Sequence, residues 1–126
     1  SMAIYRNVAD QLSAKKRKFK KEDKNVYIIV YQTMPPSPEE QKFLPGETPI
    51  DYRKRLIALQ KAKNSQAESL FRKFLEKNKS LEIKLVEGAS VLSHILVEAS
   101  FMSLAPILKA SEEGQINQVR MILVDR

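Results

Sequence analysis

Two stretches of this chain, Val26 to Tyr31 and Val91 to Val97, are apolar on both faces of a β-strand. A strand with one wet face alternates apolar with polar residues, because only one side leaves water. Along the first stretch Val26, Ile28 and Val30 point one way and Tyr27, Ile29 and Tyr31 the other. Both stretches therefore belong in the middle of a sheet, with cover on each side. In 126 residues with few helices to spare, the second cover is expected from another molecule.

The remaining elements follow from period and punctuation. Ile4, Val8 and Leu12, with Tyr5 beside them, form an apolar helical stripe of two to three turns. A first strand is expected over about Asn25 to Thr33, and Pro35, Pro36 and Pro38 stop it. Five of the six prolines fall between Pro35 and Pro49, which predicts a long irregular connection pinned by Phe43 and Leu44. Thr48 as N-cap, Pro49 in the first turn and Asp51 behind it open the next helix. It runs to about Lys77 as one helix, or as two divided at Asn64-Ser65, where Ser65 and Glu68 have capping-box spacing. Ala67, Leu70, Phe71, Phe74 and Leu75 are its stronger apolar stripe.

Leu81, Ile83 and Leu85 alternate with Glu82 and Lys84, the pattern of an edge strand. Glu87-Gly88-Ala89-Ser90 reads as a hairpin turn into a third strand over Val91 to Glu98. A short helix starts near Ser103, since Pro106 has to lie in its first turn, and Gly114 ends it. Val119 to Val124 closes the chain as a last strand.

The order β-α-β-β-α-β with right-handed crossovers specifies an α+β, ferredoxin-like sandwich, an antiparallel four-stranded sheet of spatial order 4-1-3-2. That order makes the first and third strands central, and these are the doubly apolar ones. Residues 1–24 form an added N-terminal helix and basic segment, and residues 25–126 the ferredoxin-like domain with its proline-rich loop 35–49. Val26, Ile28, Val30, Ile83, Leu85, Ile95, Val97, Met121 and Leu123 are assigned to the side under the helices. Tyr27, Ile29, Tyr31, Leu92, His94, Leu96, Ile122 and Val124 are assigned to the open side. That side is covered by the N-terminal helix folding back, by a second copy in a sheet-to-sheet dimer, or by a foreign protein. If it is a docking face, Tyr31→Asp or Leu96→Asp blocks docking without unfolding the chain.

The chemistry is sparse. There is no cysteine, which removes disulfides, thiolate metal sites and thiol nucleophiles. His94 is the sole histidine, so no pair of histidines holds a metal, and it reads as a packing or interface residue. Phosphate-binding glycine loops and a nucleophile elbow are missing from a chain with three glycines. A non-enzymatic protein without metal or cofactor is the expectation. No apolar run approaches the roughly 20 residues that cross a bilayer. Ser1 before Met2 reads as a protease-site scar ahead of a native start, which predicts a cytoplasmic protein unless a leader has been removed.

The net charge is +7 and favours acidic partners. Lys15, Lys16, Arg17, Lys18, Lys20 and Lys21 concentrate six positive charges in seven positions. They serve as a solvated helix end or as a salt-sensitive contact to nucleic acid. Base stacking of the RNA-recognition type is not expected, because the third strand carries no aromatic, glycine, lysine or arginine.

VYIIVY (26–31), SQAESLFRKFLEK (65–77), LVEGASVLSHILVEAS (85–100), SLAPILKAS (103–111) and VRMILVD (119–125) follow one another in the order of the subtilisin-propeptide-like inhibitor family, which the chain resembles over about 80 residues. The resemblance implies a ferredoxin-like domain that packs its open sheet face on a subtilisin-like serine protease. It also implies a C-terminal tail, here Val124, Asp125 and Arg126, lying in the substrate cleft. The expected function is therefore a protein-binding domain of propeptide or inhibitor type. A nucleic-acid-associated adaptor and a homo-oligomer are the other two readings.

Overall fold

The computed structural model describes residues 2–15 and 20–125. Helix α1 spans Met2–Lys15, β1 Lys24–Tyr31, α2 Pro49–Lys77, β2 Lys84–Glu87, β3 His94–Ser100, α3 Leu104–Glu112 and β4 Val119–Val124. The strands pair antiparallel in the order β2-β3-β1-β4, with β1 and β3 in the middle. This is the α+β, ferredoxin-like arrangement with an additional N-terminal helix.

Helix α2 is continuous over 29 residues, about 43 Å at 1.5 Å per residue, so Asn64-Ser65 does not divide it. The Thr48 hydroxyl accepts the Asp51 amide at 3.1 Å, as its N-cap position requires. Its end is marked by Asn78, whose side-chain amide donates to the Phe74 carbonyl at 2.8 Å. Two strand boundaries differ from the sequence pattern. Residues 79–81 form a 3₁₀ turn and Glu82 adopts a left-handed φ of 54°, so β2 starts only at Lys84. The connection before β3 lasts to Ser93, because the Asn64 side chain holds the Ser90 carbonyl at 2.7 Å and the Glu68 carboxylate holds the Ala89 amide. These bonds pull residues 88–93 toward α2 instead of into a tight hairpin. A Cβ at Gly88 would meet the Glu68 carboxylate, so a larger residue there displaces that side chain from the Ala89 amide.

The assignment of sheet faces is reversed for β1 and β4. Tyr27, Ile29, Tyr31 and Ile122 are buried beneath the helices, and Val124 packs against the same core. Val26, Ile28 and Val30 face outward, with Met121 and Leu123 beside them. The register decides this. Ile29 lies opposite both Ile95 and Ile122, and Tyr27 opposite both Val97 and Val124, so these residues share one side. A bulge between Val30 and Tyr31 shifts β4, so that Val119 and Ile122 both turn inward. On β3 the assignment holds, with Ile95 and Val97 inside and His94 and Leu96 outside. A strand apolar on both sides gives no cue to its parity. The tyrosine rings go inward because they remove more apolar area from water than valine, although both hydroxyls are left without a hydrogen-bond partner.

Helix α1 joins the same layer as α2 and α3 and does not cross the outward face. Val8 and Leu12 are buried in the common core, and Tyr5 stacks on Phe101 with centroids 4.3 Å apart. Gln11 closes part of the β4 edge. Its amide donates to the Ile122 carbonyl at 3.1 Å, and its carbonyl accepts the Val124 amide at 2.8 Å, as a neighbouring strand would.

Burial pushes the Tyr27 hydroxyl up to about 12, the adjacent Asn25 amide offsetting part of the rise. Tyr31 is raised in the same sense by burial and then by the Glu68 charge. Below the ordinary tyrosine value near 10 neither state ionises, and the shift has no effect on stability. Between about 10 and 12 the unfolded chain loses the Tyr27 proton while the folded chain retains it. Stability therefore falls there by about 1.4 kcal/mol per pH unit. Urea midpoints at rising alkaline pH measure this, and Tyr27→Phe flattens the slope.

Candidate functional site

The outward side of the sheet is built by alternate residues of its strands. β1 supplies Val26, Ile28 and Val30, β3 supplies His94, Leu96 and Glu98, and β4 supplies Met121 and Leu123. Cross-strand pairing sets Ile28 between Leu96 and Leu123, and Val30 between His94 and Met121. Val26 lies opposite Glu98, which in turn lies opposite Lys84 at the β2 edge. The centre is thus aliphatic, with Glu98 and Lys84 at one end and Glu87 on the β2 edge opposite Leu96. Met121 and Leu123 are 47% and 39% exposed, and the β1 residues are half-buried by their neighbours in the sheet. The buried apolar residues of all three helices belong to the core on the other side.

Of the residues singled out in the sequence, His94 and Leu96 lie on this face, and Tyr27, Ile29, Tyr31, Ile122 and Val124 do not. Leu92 belongs to the connection before β3 and is 62% exposed. Asp125 prolongs the β4 pairing, its amide donating to the Val26 carbonyl at 2.9 Å. Arg126 lies outside the described residues, as do Lys16, Arg17 and Lys18. Lys15 ends α1, and Lys20 and Lys21 lie in the turn before β1; all three are exposed.

A second construction surrounds the first half of α2, and its key residue, Arg55, has no distinguishing signal in the sequence. Arg55 donates to both carboxylate oxygens of Glu47, at 2.8 and 3.0 Å, and to the carbonyls of Glu40 and Lys42, each at 2.8 Å. This paired geometry holds the Glu47 carboxyl below its usual range and raises the guanidinium in return. Tyr52 donates its hydroxyl to the Gln41 carbonyl at 2.6 Å, and Phe43 lies flat on its ring at 4.0 Å. Lys63 donates to the Pro35 carbonyl at 3.0 Å and to Glu40 at 3.3 Å. The proline-rich loop is therefore laid along one flank of α2. Leu44, expected to anchor it, is instead 53% exposed, and the polar clamp does that work.

Where α2 meets the sheet end, the fully buried Asn64 is a hydrogen-bond hub. Its carbonyl accepts from Gln60 at 3.1 Å and from the Thr33 and Ser93 hydroxyls at 3.3 Å, while its amide holds Ser90. Among the described residues no group of three or more His, Asp or Glu is placed to hold a metal ion. No described helix is long and apolar enough to cross a membrane. No protein-family model matches the sequence, and comparison with curated proteins and with solved structures returns no significant match.

Proposed function

We propose that this chain is a non-enzymatic protein-binding domain that docks through the outward face of its sheet. The observation that supports this reading is the aliphatic centre formed by Val26, Ile28, Val30, Leu96, Met121 and Leu123, over which no described helix packs. An apolar surface of this kind on two central strands and an edge strand gains by association, at about 25 cal/mol for each Å² removed from water. The resemblance of 26–31, 65–77, 85–100, 103–111 and 119–125 to protease propeptides makes a subtilisin-like serine protease the partner of first choice. The cleft contact expected of Val124, Asp125 and Arg126 does not extend to Val124 and Asp125, whose amides are held by Gln11 and by the Val26 carbonyl.

Leu123→Asp tests the docking face, because it sets a charge in the apolar centre while remaining at an exposed edge position. Partner affinity, or inhibition of a subtilisin-type protease, falls by about thirtyfold or more, since a central contact of this kind is worth roughly 2 kcal/mol or more. The melting temperature moves by only a few degrees. Retained affinity in a folded Leu123→Asp protein removes the face from the interface. If light scattering finds a dimer that the same substitution dissociates, the partner is a second copy.

The exposed Lys15, Lys20 and Lys21 support a second reading, a nucleic-acid-associated adaptor. Its affinity falls steeply with salt and is indifferent to Leu123→Asp. No retardation of nucleic acid at low salt excludes it.

A further inference from the structure

The core-facing stripe of α2 does not stop where the sheet stops. The four buried residues of the helix, Asn64, Ala67, Phe71 and Phe74, follow heptad spacing. Continued toward the N-terminus, the same spacing gives Ile50, Arg53, Ile57 and Gln60. Gln60 reaches Thr33 and Asn64 at the sheet end, but Ile50 and Ile57 are 63% and 40% exposed. The proline-rich loop does not cover them, since its contacts are with Tyr52, Arg55 and Lys63 on another flank of the helix. Two turns of a packing stripe thus run on past the sheet end with their isoleucines largely or partly open to water.

The charges on this overhang are mainly positive, with Asp51 of the first turn the one carboxylate among them. Arg53, Lys54 and Lys61 border Ile50 and Ile57, all three are exposed, and none has a hydrogen-bond or ion-pair partner among the described residues. Of the acidic residues nearby, Glu47 is engaged with Arg55 and Glu68 with Arg72 and the Ala89 amide, which leaves Asp51 alone against the three cations. We infer that the overhang receives an acidic amphipathic helix of another protein, its apolar residues packing on Ile50 and Ile57 and its carboxylates facing Arg53, Lys54 and Lys61. A second copy is disfavoured, because pairing two overhangs sets cations against cations. Nucleic acid would take up the cations but would leave both isoleucines in water. The mode is a helix laid on a preformed apolar stripe, with charge selecting the partner.

The test is a titration of the isotope-labelled full chain, followed by amide chemical shifts, with a synthetic helix about 18 residues long carrying leucine at heptad spacing and glutamate on both flanks. The expected shifts fall on residues 50–61. Ile57→Asp weakens binding about tenfold or more, and the double variant Lys54→Glu with Lys61→Glu transfers preference to a leucine–lysine helix. The inference is overturned if no shifts arise by about 1 mM peptide. It is overturned equally if a glutamate peptide without leucine binds as well, or if a single-stranded oligonucleotide moves the same amides regardless of Ile57→Asp. Shifts confined to Ile28, Leu96 and Leu123 also overturn it and favour the sheet face instead. Failure at the overhang leaves the proposal for the sheet face standing, because the two surfaces share no residue.

Discussion

Tyr31→Asp leaves the chain without a cooperative unfolding transition, while Tyr31→Phe melts at or above the temperature of the parent protein. Tyr31 is 5% exposed and contributes to the core between the sheet and α2. Aspartate there removes a buried aromatic ring, a loss of about 3–5 kcal/mol. It also asks a carboxyl group to lie among Ile29, Phe71 and Ile95 without an ionic partner. Together these approach the whole stability of a domain, about 5–15 kcal/mol. Phenylalanine keeps the ring and deletes only a buried hydroxyl that has no hydrogen-bond partner, so its expected effect is neutral to favourable by up to about 1 kcal/mol. Calorimetry of the two variants decides the matter. A folded Tyr31→Asp protein would put Tyr31 on the outward face after all and reverse the reading of both sides of the sheet. The contrast with Leu123→Asp is the sharpest check on the fold, since the same new charge is tolerated on one side and not on the other.

Asn64→Leu lowers stability by about 2–3 kcal/mol, although leucine has the same branched outline and is the better helix former. The side chain is fully buried, so no water replaces what is lost. The Ser90 carbonyl loses its 2.7 Å donor, and Gln60, Thr33 and Ser93 lose a shared acceptor. Some of these groups retain one another, Gln60 with Thr33 at 3.0 Å and Thr33 with Ser93 at 3.0 Å, which keeps the figure below a full sum. At this chain length the loss corresponds to a fall in melting temperature of roughly 6–12 °C. Amide exchange accelerates first in residues 88–93, where the hub holds the loop. An unchanged melting temperature would show that the network contributes nothing net. The same substitution would then be a stabilising one, as removal of buried polar groups sometimes is.

The two substitutions mark the limits of what the residues declare. The centrality of β1 and β3 was legible, because a strand apolar on both sides cannot sit at an edge in water. The start of α2 was legible too, since Thr48, Pro49 and Asp51 carry their own local chemistry. The side to which each strand turns was not. It depends on the register Ile29 with Ile95 and Ile122 and on the bulge at Val30, which are relations between strands far apart in sequence. Half of the candidate docking residues were therefore named on the wrong side, while His94 and Leu96 were placed correctly. Asn64 and Arg55 escaped notice for the same reason. Their partners lie in the 88–93 connection and in the proline-rich loop, and no spacing within α2 reveals them.

What the sequence determined by itself is the order of elements, the antiparallel sheet with its two central strands, and the existence of more apolar surface than the helices can cover. Local propensity, proline punctuation and the period of hydrophobicity are properties of neighbouring residues and are written along the chain. What the tertiary structure alone decided is which surface remains uncovered. It is the face of Ile28, Leu96 and Leu123, together with the two turns of α2 that outrun the sheet. Burial is a competition among distant segments for the same interior, and its outcome is fixed only when strand register, loop anchoring and helix length act together.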